Sequence, residues 1–152
     1  MDARDDVIYD IIIVKIVIDT DVLFAAFNSP DGASRRLLLD IIDGKASLLL
    51  SATLLLEYEA VLTRPHNLEQ FGIGVADVLA VLDELARICV PVAFDYRWRP
   101  SANDPDDDHV VETAVNGNAD VVASFNLSDL AAGVRRFGIE VERPKDVLRR
   151  LK

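Results

Sequence analysis

A chain of 152 residues, 51% of them hydrophobic, has the size of one domain and enough apolar mass for one core, which leaves no room for a second. Its one cysteine, Cys89, excludes a disulfide framework and any zinc site built on cysteine pairs; it is expected in the core, in a reducing, cytoplasmic setting. A net charge of -10, with 19 Asp and 7 Glu against 12 Arg and 4 Lys, excludes diffuse attraction to nucleic acid, so any such substrate would need local Arg groups and metal ions.

Val7 to Ile18 is the most apolar N-terminal stretch, but Asp10 and Lys15 interrupt it, acidic residues precede it, and it is too short to span a bilayer. Neither a signal peptide nor a membrane anchor is expected. Residues 1–14 are expected to be an extension, either an added strand or the product of an upstream start, before a domain over residues 15–152. Lys15 to Ile18 is β-branched and predicts a buried first strand ending at Asp19. A helix follows over Ala33 to Asp43, closed by Gly44, then a strand over Ala46 to Leu50. Ser51 is the predicted N-cap of a helix that runs through Leu54 to about Leu62 and is stopped by Pro65. His66 to Gly74 reads as a loop, Val75 to Ile88 as a helix and Val90 to Phe94 as a short strand. After a polar loop come a helix over Asp107 to Val115, a strand over Asp120 to Ala123 and a helix over Asp129 to Phe137. A strand over Ile139 to Val141 and a helix over Pro144 to Leu151 complete the chain.

Strand-length segments alternating with helical ones predict an α/β fold with a mainly parallel sheet. In such sheets ligands gather outside the carboxyl ends of the strands, where the strand order reverses. Asp19 and Asp21 follow the first strand, and Asn126 and Asp129 follow the strand beginning at Val121. A charge at the end of a buried strand, as at Asp19, needs a partner unless it merely caps the next turn. Glu57 and Glu59 both have claims to a partly apolar face of the helix after Ser51, periodicity does not choose between them, and either could be a surface carboxylate.

The run Asn103-Asp104-Pro105-Asp106-Asp107-Asp108-His109 sets four carboxylates within five positions before a helix. One or two can act as caps; the repulsion among four is relieved by divalent cations. Carboxylate oxygens without cysteine suit Mg2+ or Mn2+, ions that acidify water and neutralise charge developing on a phosphodiester. His109 and His66 are poor ligand candidates beside these acids. Upstream, Tyr96-Arg97-Trp98-Arg99 interleaves aromatic and guanidinium groups; Arg97, Trp98 and Arg99 could bind RNA, or Trp98 packs on the core and the arginines neutralise nearby acids.

Four blocks together resemble the PIN-domain family over about Lys15 to Leu148: Val17 to Leu23, Ser51 to Leu62, Asp104 to Ala114, and Ala119 to Leu130. The family includes PIN-like ribonucleases and the toxin components of toxin-antitoxin pairs. The resemblance implies a three-layer α/β/α domain with a central, mainly parallel sheet flanked by helices. It implies metal-dependent hydrolysis of single-stranded RNA by in-line attack of water, leaving a 5'-phosphate and a 3'-hydroxyl. Asp19 would be the first metal ligand, Glu57 rather than Glu59 the helix carboxylate, and Asp107 the third, with Asp104 in support.

Asp21 stands where the family commonly has Asn. The fourth acidic position falls on Asn126, with Ser124 for the usual Thr, so a fourth carboxylate comes from Asp129 or is absent, and activity is expected to be weaker than in four-acid relatives. Ser124 or Asn126 would steady the water. The resemblance also implies a homodimer or higher oligomer and, for a toxin, an antitoxin protein covering the acidic cleft with a basic segment. Two rivals remain: a PIN fold without catalysis that serves binding or assembly, and an aspartyl-phosphate phosphatase. For the second, as for a receiver domain, none of Lys15, Lys45, Lys145 and Lys152 lies where that chemistry needs one.

Overall fold

Four parallel pairings organise the chain, joining short strands of two to four residues. The computed structural model describes residues 12–94 and 108–152. In chain order the elements are β1 (Lys15–Ile18), α1 (Thr20–Asn28), α2 (Ala33–Ile42), β2 (Ser47–Leu50), α3 (Ala52–Leu62), α4 (Pro65–Phe71) and α5 (Val75–Ile88). They continue with β3 (Val90–Pro91), α6 (Asp108–Asn116), β4 (Val121–Ala123), α7 (Leu127–Val134), a 3-10 turn (Arg135–Phe137), β5 (Glu140–Glu142) and α8 (Pro144–Arg150).

The sheet order is β3-β2-β1-β4-β5, and every pairing is parallel. β1 and β4 are buried throughout or nearly so, which suits their β-branched residues to the middle of a sheet covered on both faces. Parallel units close with right-handed crossovers, so reversing the direction of travel after β3 moves the helices to the other face. α6 packs on β1, β2, β4 and α7, and α7 on β5; in the opposite layer α2 packs on α1, α5 and α8. The three-layer α/β/α arrangement is therefore as expected, with a sheet that is wholly parallel among the described residues. The order reverses between β1 and β4, whose carboxyl ends open the crevice where α/β folds hold ligands.

Several elements differ from expectation. Residues 66–74, expected as a loop, are mostly α4: Pro65 opens that helix at its first position, Gly72 ends it at φ 73°, and buried Asn67 donates to the carbonyl of Val61 at 2.8 Å. Phe71 then meets Phe24 and Phe27 of α1, with ring centroids 5.0 and 5.5 Å apart. α1 itself is an addition to the expected elements; it buries Val22, Leu23 and Ala26 and is capped by Asp19. β3 is two residues rather than five, α7 starts at Leu127 rather than Asp129 and gives way to the 3-10 turn, and β5 is displaced by one residue.

Of the N-terminal extension, residues 12–14 lie in no strand, although the carbonyl of Val14 accepts from Ser47 and lengthens the β1–β2 ladder. Its other residues, and the segment holding Arg97, Trp98, Arg99, Asp104 and Asp107, lie outside the described residues. At the end of α6, a Cβ on Gly117 would stand 2.9 Å from both Leu49 and Val92, so helix and sheet approach there only with glycine. No helix among the described residues is long and apolar enough to cross a membrane.

Candidate active site

The ladder between β1 and β4 runs one residue past the strands, with Asp19 N donating to the Ala123 carbonyl at 2.9 Å. That bond sets Asp19 and Ser124 side by side at the carboxyl ends of the two central strands. Both are buried, Asp19 to 7% exposure and Ser124 completely. The Asp19 carboxylate uses both oxygens locally: Oδ1 accepts from Thr20 N at 2.8 Å, as a helix cap does, and Oδ2 accepts from Ser124 Oγ at 2.7 Å. Capping and the expected partnership at a buried strand end thus coexist in one residue.

Thr20 is the bridge to the second carboxylate. Its hydroxyl donates to Glu57 Oε2 in a short hydrogen bond, while Nδ1 of His109 lies 3.3 Å from Glu57 Oε1. Glu57 is reached because α3 is pinned at both levels. Ser51 caps its N-terminus and shares a 2.7 Å hydroxyl contact with buried Thr113 of α6, and Tyr58 donates its phenol proton to the carbonyl of Ile18. Glu59, the alternative that periodicity leaves open, is exposed. Neither Thr20 nor His109 is marked for this position by the sequence.

The electrostatics follow from this burial. Desolvation raises the Asp19 pKa above the usual 3.8; the donors Ser124 and Thr20 lower it in part, and the nearby charge of Glu57 raises it again. Burial, with Asp19 and Glu57 close by, likewise drives the Tyr58 pKa well above its ordinary value, so that it remains a donor. On the β4 side, Asn126 N donates to Ser124 Oγ at 2.8 Å, and Phe125 N donates to Asp21 Oδ2 at 3.0 Å. Asp21 therefore ties the first turn of α1 to the loop after β4. Asp129 is half-buried in the first turn of α7, and no hydrogen bond or ion pair joins it to Asp19 or Glu57 among the described residues.

The described part of the site is thus two carboxylates held by hydroxyls and backbone amides at the switch point of a parallel sheet. A profile of the PIN domain matches the chain over residues 15–128. The chain belongs to the PIN-domain family. No curated protein matches it significantly. PIN domains are generally nucleases and typically use divalent metals, and the PIN fold accounts for the convergence of β1, α3 and β4 on one pocket.

Among the described residues, the side chains gathered in this PIN pocket offer oxygens apart from His109, the set that hard divalent cations take. Asp19 and Glu57 fit such an ion because burial and the nearby charge of Glu57 make Asp19 costly to ionise, a cost that a cation removes. Among the described residues no group of three or more His, Cys, Asp or Glu forms a site by itself. The expected third acid, Asp107, and the supporting Asp104 lie outside them.

Proposed function

We propose that the chain is an endoribonuclease that hydrolyses phosphodiester bonds of single-stranded RNA with Mg2+ or Mn2+. The observation that carries this reading is the buried Asp19 beside Glu57, both oriented by Thr20 at the switch point. Asp19, Glu57 and Asp107 would hold the ion, with Asp104 in support and Asn126 lending an amide oxygen. Asp107 directly precedes α6, whose first turn carries His109 against Glu57. When bound, the ion supplies neutralisation of charge on the phosphate and acidifies water.

The protein's own groups supply position. Thr20 N and Ser124 Oγ fix the two oxygens of Asp19, so the carboxylate does not reorient as substrate arrives. Thr20 Oγ1 and His109 do the same for Glu57. The burial that raises the pKa of Asp19 also limits the water that would compete for its carboxylate.

Mn(II)-dependent cleavage of a labelled single-stranded RNA tests the proposal. Wild type is expected to cut it and Asp19→Asn to lose at least about a hundredfold in rate, or ~2.7 kcal/mol at 1.36 kcal/mol per tenfold. Intact RNA with Mn(II)-loaded wild type refutes the enzyme reading. It would favour a binding or assembly module, for which Asn126 in an acidic position is the supporting observation. A toxin role and a homodimer belong to the same proposal; co-purification with a genomic neighbour and the mass in solution test them.

A further inference from the structure

Five of the sixteen basic side chains of this acidic chain line one groove. Of its four lysines, Lys45, Lys145 and Lys152 line a cavity of about 520 Å³ between α2 and α8, together with Arg36 and Arg149. The acids there are already answered: Asp40 lies 3.4 Å from Lys45, and Asp146 lies 3.5 Å from Arg149. Arg149 nevertheless keeps 76% of its side chain exposed and Lys45 58%. On α8, Lys145 and Arg149 stand four residues apart on one face, and Lys152 follows two residues after its end.

The groove adjoins a second cleft at the carboxyl edge of the sheet, Lys145 being common to both. Arg143 and Lys145 follow β5, and so stand at the same carboxyl edge of the sheet as Asp19 and Ser124. They line this cleft, of about 220 Å³, together with Phe125. Phe125 lies next to Ser124 in the chain, its amide is held by Asp21, and the residue is 47% exposed. A strand leaving the pocket would therefore meet an exposed aromatic face first and a row of cations next.

We propose that the groove between α2 and α8 is the track for the phosphodiester backbone of the single-stranded RNA, with Phe125 as the platform on which a base stacks. This rests on the ribonuclease reading above and names how its substrate is held. Charge complementarity favours the assignment: on a chain of net charge -10, five basic side chains around one groove give a polyanion a local site of attraction. Stacking on an aromatic ring beside such a row is the usual means of holding unpaired nucleotides without reading their sequence.

The test is fluorescence anisotropy of a fluorescein-labelled 20-nucleotide single-stranded RNA in EDTA, over a series of salt concentrations. Binding is thereby separated from cleavage. The Lys145→Glu, Arg149→Glu double variant is expected to bind at least about tenfold more weakly. Lys145→Ala, Arg149→Ala should flatten the log-log salt slope by about 1.4, at ~0.7 for each phosphate that is no longer neutralised. Phe125→Ala should weaken binding with the salt slope unchanged. Arg64→Glu, Arg135→Glu, which alters charge equally on exposed residues outside the groove, should have a much smaller effect.

Equal losses in the groove variant and this control overturn the proposal, as does unchanged affinity. Unchanged RNA affinity together with groove-dependent binding of a polyglutamate peptide overturns it in favour of an acidic protein segment. If wild type cuts no RNA yet binds it through the groove, the ribonuclease reading fails alone. If it cuts RNA and the groove variants bind normally, the track fails alone.

Discussion

The two ends of the same strand pair carry aspartates in opposite circumstances. At the amino ends of β1 and β4, Asp120 is exposed and accepts from Lys15 N at 2.8 Å. At the carboxyl ends, Asp19 is buried and accepts from Ser124 Oγ at 2.7 Å. Each bond fastens the central strands together, but water solvates the first carboxylate and is largely denied to the second. A fold needing only a latch would use the exposed form, because burying a carboxylate beside another costs stability that a latch does not require. The difference marks the carboxyl edge as built to hold charge and the amino edge as built to hold strands.

Breaking Asp19 should therefore raise the stability of the metal-free protein while destroying its function. Its pKa is raised on folding, so the native state binds more protons than the unfolded state between the two pKa values. Stability in EDTA is then fullest below the unfolded value near 3.8 and falls as pH rises through the folded value. Thermal melts of Asp19→Asn should lose that slope and gain several degrees at neutral pH, each kcal/mol being worth roughly 2–4 °C at this chain length. A lower melting temperature at neutral pH would count against a buried, costly charge.

A smaller effect is expected at Thr20, which orients both acids. Thr20→Val keeps the shape and the backbone donor to Asp19 but removes the hydroxyl from Glu57. Cleavage should slow about tenfold, equivalent to ~1.4 kcal/mol, with little change in melting; a rate equal to wild type would show that Glu57 needs no such orientation. The smallest effect belongs to the latch. Asp120→Ala should cost less than about 1 kcal/mol, because water replaces an exposed acceptor, and should leave cleavage intact. A large activity loss there would erase the contrast between the two edges.

Most of the sheet and its layers are legible in the sequence because buried strands and amphipathic helices write strong periodicities. α4 is not. Pro65 and Gly72 are start and stop signals for a helix, but over seven residues containing His66, Asn67, Glu69 and Gln70 they also resemble the punctuation of a loop. α1 is hidden for a related reason: its Phe24-Ala25-Ala26-Phe27 run serves contacts with α4, and its start is marked only by Asp19, a residue that is both cap and buried acid.

At the site, Asp19 stands out as a charge at the end of an apolar strand, whereas Glu57 is told from Glu59 only by the resemblance to the PIN-domain family. Thr20 carries no such mark, since a hydroxyl that joins positions 37 residues apart acquires its role only in three dimensions. His109 reads from the sequence as a poor ligand candidate beside so many acids, and its contact with Glu57 has no signal there. The cationic groove is invisible in the sequence for the same reason as Thr20, its lysines being scattered from residue 45 to residue 152.

Binding of Mn(II) measured by isothermal titration calorimetry, without RNA, tests the paired carboxylates most directly. Wild type is predicted to bind the ion, with Asp19→Asn and Glu57→Gln each abolishing the heat while both variants remain folded by circular dichroism. Undiminished Mn(II) binding in both variants, or none in wild type, would contradict the account.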